Sequence, residues 1–440
     1  MDKETSSSVT KDTNGLGLIQ LTREWLLHAL SGMPVRVSID FWGQEQICSN
    51  AQNDSNGQTL NIKLHTPTVL QKILIGRDPM AVVEAYLNED LEFTGKVEDL
   101  VLVVEHLADV LSGGTIAHIR NYMEAVLIGP LRKSFQGLDL YERLNPHSLA
   151  RDKAAVQEHY DAGNQFYRLW LDKQLVYSCA YFDQDGMSLD QAQESKLDLI
   201  CRKLRLQPGD KMLDIGCGWG ALLRWAATHY GAQVYGITLS QEQINWNRNW
   251  ITKEGLENQI AVELADYRDL SPTSQFNKIV SVGMIEHVGI KNYPVYFRTL
   301  LSLLSPKGIF LNHGITTSTH WSNSGLAERF MRRYIFPDGE LAELPTMLVE
   351  AKEAGWEIID VESLRPHYAK TLRCWADNLE KSKEKAIELV GTQKTKLWWL
   401  YLAGSALAFH KNKLGVFQTL LRRVEDEIWD LPMNRKGWLS

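Results

Sequence analysis

The stretch Leu213-Asp214-Ile215-Gly216-Cys217-Gly218-Trp219-Gly220-Ala221 sets three glycines between a strand-like run, KMLDIG, and a helix-like one, ALLRWAATHY. A turn of this kind lets a ligand approach the backbone without meeting Cβ atoms. The alternation continues beyond it. AQVYGITL, QIAVELAD, NKIVSVGM and GIFLNHGI read as short apolar strands, the last after the turn Ser305-Pro306-Lys307-Gly308, and QEQINWNRNWITKEG and YFRTLLSLLS read as helices. Strands alternating with helices predict a parallel sheet covered on both faces, the doubly wound α/β class, whose ligands bind beyond the carboxyl ends of the strands.

The glycine loop alone does not say which ligand it holds. Gly216, Gly218 and Ala221 also satisfy the loose GxGxxA form of the dinucleotide fingerprint. A dinucleotide enzyme, however, wants an acid at the end of the second strand for the ribose. Here GITLS offers Thr238, with Gln243 one turn into the next helix. LDIGCGWG together with LSPKGIF ahead of a fifth strand resembles class I S-adenosylmethionine-dependent methyltransferases, whose cofactor carries no pyrophosphate.

A chain of 440 residues exceeds what one core usually supports. The polar run at 1–15 reads as a disordered tail without the apolar centre of a signal peptide. Residues 16–130 read as a smaller α+β unit, with VRVSIDFW and LNIKLH as strands and VEDLVLVVEHLADVL as a helix. A mixed polar stretch at 131–157, interrupted by Pro146, is the expected linker to a catalytic domain over 158–440. The formal charge of −7 argues against a protein that coats nucleic acid. The 5 cysteines form no CxxC pair, so neither a disulfide framework nor a metal site is expected, and a reducing cytoplasm fits. LWWLYLAGSALAF falls short of the roughly 20 residues of a spanning helix and reads as a buried one.

Several stretches together resemble one family. HYDAGN (159–164), YSCAYF (177–182), LDIGCGWG (213–220), GITLSQEQ (236–243), SVGMIEHVG (281–289), LNHGI (311–315) and PHYAKTLRCW (366–375) look like the cyclopropane-fatty-acyl-phospholipid synthases and their mycolic acid relatives. The likeness runs from about Asp152 to the C-terminus, and more loosely the upstream part is similar to the lipid-binding domain of long bacterial synthases. The resemblance implies a class I methyltransferase fold and transfer of a methylene from S-adenosylmethionine to a cis double bond of a phospholipid acyl chain, closing a cyclopropane ring. Cofactor contacts fall by resemblance on Tyr177, Ser178, Gly216, Cys217, Gly218, Thr238 and Gln243, with Asp266 and Tyr267 beside the adenine. The family's base is a bound bicarbonate, whose ligands fall on Cys179, Glu286, His313, the backbone of Ile315, and Tyr368.

The chemistry makes sense of these groups. An alkene that attacks a sulfonium methyl becomes a carbocation that must not meet water, so a dry aromatic wall and a nearby base are needed. Cation–aromatic attraction is worth about 2 kcal/mol in such a site, and Tyr160 is the first candidate for the wall. His313 and Tyr368 can donate to an oxyanion, Ile315 can offer its N–H, and Glu286 can accept from an O–H. Cys179 then reads as an uncharged pocket wall, since the reaction gives a nucleophilic thiol nothing to attack. Singly each residue has a plain alternative: a histidine at a strand end is usually structural, and Glu286-His287 could simply open a helix. Family members often carry cysteine where this chain has Ser405, which is expected to be a helix-packing residue.

LAERFMRRYIFPDG (326–339), within an insertion at about 321–345, mixes Phe330, Met331, Tyr334 and Phe336 with Arg329, Arg332 and Arg333. It reads as a lid that meets lipid, or as an ordinary amphipathic helix. Expected partners are unsaturated phospholipids of the bilayer, reached from its cytoplasmic inner face. The N-terminal unit is expected to capture lipid or to pair two subunits as a homodimer. Two other readings stay open: a fatty-acyl methyltransferase that adds a branch without closing a ring, and a lipid-binding protein with no activity.

Overall fold

The structure, a computed structural model, describes residues 27–112 apart from 28, 34, 44, 50–58 and 77, and residues 163–439 apart from 273–274, 319–324 and 337–338. The expected tail, the linker and Tyr160 lie outside the described residues. The chain divides into two compact units, Met1–Asp139 and Leu140–Ser440.

In the first unit β1 (Arg36–Phe41), β2 (Glu45–Cys48), β3 (Thr59–Leu64) and β4 (Leu91–Thr94) form a sheet in the order β2-β1-β3-β4. The pair β1/β3 is parallel and the other two pairs are antiparallel. Alternation in TLNIKL turns Leu60, Ile62 and Leu64 inward, the signature of a sheet covered on one face. Among the described residues the helices α1 (Pro67–Gly76), α2 (Met80–Leu87) and α3 (Val97–Ser112) accompany the sheet.

Among the described residues the second unit begins with α4 (Asn164–Tyr167) and α5 (Leu189–Lys203). It then alternates as β5 (Lys211–Ile215), α6 (Ala221–Tyr230), β6 (Gln233–Thr238), α7 (Gln241–Glu254), β7 (Ile260–Leu264), β8 (Phe276–Val282), α8 (Tyr293–Leu303) and β9 (Leu304–Thr317). Next come α9 (Leu326–Tyr334), α10 (Leu344–Glu353), β10 (Trp356–Ser363), α11 (Arg365–Lys381), α12 (Lys383–Val390), α13 (Thr392–His410) and β11 (Leu414–Arg423). The sheet runs β10-β11-β9-β8-β5-β6-β7, the seven-stranded doubly wound arrangement of class I methyltransferases. Strands β5 to β9 pair in parallel, as the alternation predicts. The alternation does not predict β11, which inserts antiparallel between β9 and β10.

Local chemistry fixes the helix ends. Ser188 and Gln191 close a reciprocal capping box on α5, and Ser240 caps α7 by accepting from the Gln243 N–H. Gly231 and Gly255 end α6 and α7 in the left-handed region, where a side chain is strained. Between paired Leu304 and Ile309 the segment Ser305–Gly308 bulges out, with Lys307 at φ 61, so the expected turn interrupts the strand and does not precede it.

In an aromatic cluster Trp170 and Tyr177 stand 5.4 Å apart and each lies 5.4 to 6.3 Å from Trp375 and Trp398, ring centre to ring centre. Edge and tilted contacts at these distances each add about 0.5–1.5 kcal/mol beyond burial. Helix α13 contributes Trp398, Tyr401 and Phe409 and is buried along most of its length. Among the described residues no helix is long and apolar enough to cross a membrane.

Candidate active site

Gly216, Gly218 and Gly220 take φ of 79, 55 and 77, the left-handed region that disfavours any side chain. A Cβ at Gly220 would fall 1.9 Å from Asn247 Oδ1, while Asn247 Nδ2 donates to the Gly218 carbonyl at 2.8 Å. The loop therefore has its shape enforced by a helix residue behind it. Beside it Thr238 Oγ1 donates to Gln243 Oε1 at 2.6 Å and accepts from the Ser240 N–H at 3.2 Å.

These groups border a first cavity with about 1030 Å³ of free space, part of it open to solvent. Every residue expected at the cofactor lines it: Tyr177, Ser178, Gly216, Cys217, Gly218, Thr238, Gln243, Asp266 and Tyr267. The Asp266 carboxylate is already held by Arg268, which donates Nε at 2.8 Å and a terminal nitrogen at 2.7 Å to its two oxygens. Two charged residues on the wall were not anticipated. Asp214 is buried on β5, and burial pushes its carboxyl up to about 7 against the pull of Lys196. Lys196 donates Nζ to Ser178 Oγ at 2.9 Å, and burial draws its ammonium down to about 8. A sequence signal existed for both: an acid between Leu213 and Ile215 in an apolar strand, and a lysine on the buried stripe Leu189, Ala192, Gln193, Lys196, Leu197, Ile200 of α5. Backbone glycines, side-chain amide and hydroxyl, and both signs of charge suit the adenosyl, ribosyl and amino-acid parts of S-adenosylmethionine.

A second cavity, with about 940 Å³ of free space that also includes open solvent, shares Tyr177, Ser178, Gly283 and His287 with the first. Cys179, Glu286, His313, Ile315 and Tyr368 all line it, although they come from a loop, a 3₁₀ turn, β9 and α11. The rest of the wall is mostly apolar: Met331, Phe336, Leu341, Leu372, Tyr401, Phe409, Leu414 and Val416. Ser405 also lines this cavity, so it is not the packing residue expected from sequence. That expectation missed which face of α13 looks onto the space between α11 and β11.

Glu286 Oε1 accepts the Ile315 N–H at 2.6 Å, while Oε2 is buried with no hydrogen-bond partner. Burial raises the Glu286 carboxyl to about 7, although its own backbone N–H and then that of Ile315 pull the other way. The Ile315 N–H is thus spent on the carboxylate in this structure. His313 is not at a strand end; it lies inside β9, paired with Val282 at the end of β8. Burial, then Lys196 and Lys203, hold its imidazole well below the usual range, hence neutral. The Cys179 thiol is fully buried and pushed far up by burial, so it stays protonated, and it contacts the Ala180 and Leu364 carbonyls at 3.2 and 3.8 Å. A neutral imidazole, a phenol, a thiol and a carboxylate with one unpartnered oxygen form a set that suits a small oxyacid carrying both lone pairs and a hydrogen.

The loop that carries Tyr177, Ser178 and Cys179 is clamped from two sides. Gln193 Nε2 donates to the Val176 and Ser178 carbonyls at 3.3 and 2.9 Å. Thr371 Oγ1 accepts the Ala180 N–H at 3.0 Å and His367 Nδ1 accepts the Phe182 N–H at 3.0 Å. Helix α9 and the residues just after it border the second cavity: Met331 of the helix and Phe336 beyond it line the space, and Phe330 and Tyr334 pack on the aromatic core.

The mycolic acid cyclopropane synthetase family model matches residues 147–419. This chain belongs to that family. A probable fatty acid methyltransferase of Pseudomonas putida is 46% identical over 356 residues, covering 80% of this chain and 84% of that protein. Cyclopropane mycolic acid synthase 1 of Mycobacterium tuberculosis is 36% identical over 287 residues, 63% of this chain and 98% of that one. Among solved structures, a mycolic acid cyclopropane synthase complexed with SAH and CTAB superposes with a TM-score of 0.59 at 36% identity, over 64% of this chain and 99% of that one. Coclaurine N-methyltransferase, at 22% identity and a TM-score of 0.53, shares the fold alone. Family membership makes this chain an S-adenosylmethionine-dependent methyltransferase, and the first cavity is where the fold places its cofactor.

Proposed function

We propose that this enzyme adds a methylene to the cis double bond of an unsaturated phospholipid acyl chain and closes a cyclopropane ring, with bound bicarbonate as general base. The observation that carries the reading is Glu286 Oε2, a buried acceptor without a partner, in an apolar cavity that also holds His313 and Tyr368. A buried carboxylate oxygen left bare costs about 1–3 kcal/mol or more, a cost a hydrogen-bonding guest removes.

S-adenosylmethionine, when bound, supplies an electrophilic methyl, and bicarbonate, when bound, would supply a base beside a mostly apolar wall. The protein's own groups do the rest. Tyr177 and Ser178 form the partition at which the two cavities meet, so an acyl chain in the second can reach a group held in the first. Glu286 accepts from an O–H, and His313 and Tyr368 donate to oxygens. The rings of Tyr368, Phe409 and Tyr401 exclude water and offer their faces to positive charge on the substrate. Arg332 and Arg333 on α9 favour the anionic surface of the membrane's inner leaflet, and the N-terminal unit serves lipid capture or homodimer pairing.

Purified protein incubated with labelled S-adenosylmethionine and unsaturated phosphatidylethanolamine or phosphatidylglycerol vesicles should yield acyl chains heavier by one CH2 that no longer react as alkenes. Carbonate-depleted buffer should slow the reaction and added bicarbonate restore it; indifference to carbonate removes the base from the reading. A branching methyltransferase is the second reading, favoured by the names of the Pseudomonas and mycobacterial relatives, probable fatty acid methyltransferases. A product that still reacts as an alkene, or one that has gained a CH2 and two further hydrogens, decides for it. Charge reversal at Arg332 and Arg333 should weaken sedimentation with anionic liposomes, and unchanged binding removes that contact.

A further inference from the structure

Behind His313 the sheet register builds a row of polar side chains across three neighbouring strands. Gln418 on β11 is the cross-strand partner of His313 on β9, and Glu362 on β10 is the partner of Gln418. Directly paired residues present their side chains on one face, so the three stand in line. Lys203, in the last turn of α5, reaches into this row: its Nζ donates to Gln418 Oε1 at 2.7 Å and to Glu362 Oε2 at 2.5 Å. Gln418 Nε2 lies 3.3 Å from His313 Nδ1. His313, Gln418 and Lys203 are 2%, 1% and 3% exposed.

The donor and acceptor roles along this row are forced. An ammonium can only donate, so the Gln418 atom facing Lys203 is the oxygen. The amide nitrogen then faces the ring, and it too can only donate. Nδ1 of His313 must accept and cannot carry a hydrogen. A neutral imidazole with a bare Nδ1 carries its hydrogen on Nε2, the nitrogen left to the second cavity that the ring lines. We infer that Gln418, oriented by Lys203 and Glu362, is a positioning residue that fixes His313 as a neutral Nε2–H donor to the second cavity. The ring therefore recognises a guest by its lone pairs and is not itself the base.

Glu362 has a distinct part. By pairing with Lys203 it keeps the lysine charged although burial draws that ammonium down; the Asp360 carboxylate also raises it, and the Arg435 guanidinium lowers it. A neutral amine could turn and accept from the amide, and the chain of roles would reverse. The consequence for turnover rests on the proposed bicarbonate reading; the position of the hydrogen does not.

The test is nitrogen NMR of protein labelled with 15N-histidine, with His313→Gln identifying the resonances. Wild type should show a pyridine-type Nδ1 and a pyrrole-type Nε2 for His313. Gln418→Glu offers the ring an acceptor, and should move the signals to the Nδ1–H form or to imidazolium. It should also lower turnover about tenfold or more while S-adenosylhomocysteine affinity stays within about twofold. Lys203→Met frees the amide to turn and should give mixed ring signals without a new charge, so the inference stays open to test if Gln418→Glu does not fold; thermal unfolding of each variant reports folding. A wild-type Nδ1–H signal, or ring signals unmoved in a folded Gln418→Glu or Lys203→Met protein, overturns the inference. Moved signals with unchanged turnover overturn its link to catalysis. A wild type that makes no product from lipid counts against the proposed function, and the ring spectrum still decides the inference.

Discussion

The two cavities share a partition but are built differently. The centre of the first comes from neighbouring segments of chain: the turn after β5, the end of β6 and the start of α7 supply Gly216 to Gly218, Thr238 and Gln243. The second gathers Cys179, Glu286, His313, Tyr368 and Ser405 from segments separated by up to two hundred or so residues. Backbone geometry governs the first and side-chain burial the second. Substitutions should therefore separate them: changes in the second should stop chemistry and spare cofactor binding, and changes in the loop should weaken binding.

Glu286→Gln is the sharpest way to break that comparison. It keeps the shape of the second cavity and removes the charge, so turnover should fall by about 10²–10⁴ with S-adenosylhomocysteine affinity, by calorimetry, within about twofold. A comparable loss of affinity would show that the partition does not insulate the two sites. Gly220→Ala is the counterpart. Its methyl meets Asn247 Oδ1 at a left-handed φ of 77, and the affinity for S-adenosylhomocysteine should drop by about 10- to 100-fold.

The Glu286 carboxyl also predicts two opposite pH trends. Raised to about 7 from 4.5, it is protonated in the folded enzyme below that value and becomes an acceptor-only carboxylate above it. Turnover should therefore rise from pH 6 to 8, and this limb should be missing from the residual activity of Glu286→Gln. Stability moves the other way. A folded value above the unfolded one contributes stability that is full below about 4.5 and lost as pH rises through about 7. At pH 8 Glu286→Gln should be more stable than wild type by on the order of 3 kcal/mol, the gap closing toward pH 5, as denaturant titration would measure. An equal gap at both pH values would mean that the carboxyl is not desolvated in solution. The smallest effect is expected at Ser405→Ala, which removes a hydroxyl from the second cavity's wall: KM for the lipid should change less than about threefold, with cofactor affinity unaltered. A collapse of turnover would give Ser405 a place in the chemistry.

The same contrast explains what could be read in the sequence. The run ALLRWAATHY is the helix Ala221–Tyr230, and KMLDIG contains the strand Lys211–Ile215, because their glycines and apolar spacing are local signals. The five second-cavity residues were named from a resemblance, since nothing near Cys179 or Tyr368 in the chain announces that they meet. Strand β11 went unread, because LGVFQTLLRR belongs to the sheet only through antiparallel pairing with distant β9 and β10. Without β11 the opposition of Gln418 and His313 cannot be seen, for register is a tertiary property. Lys196 and Asp214 were legible as charges in apolar patterns, and Ser405 turned on the orientation of one helix face.

The shared partition also bears on how such enzymes diversify. On the proposed function, any change at Tyr177, Ser178, Gly283 or His287 is felt in both cavities, so these positions cannot drift toward a new lipid without disturbing the nucleoside. Met331, Leu341, Leu372 and Leu414 touch only the second space. Lineages that adapt to longer, bulkier or differently unsaturated chains can vary those four positions within the limits of core packing, and substrate range can evolve there while the methyl-donor machinery is inherited intact.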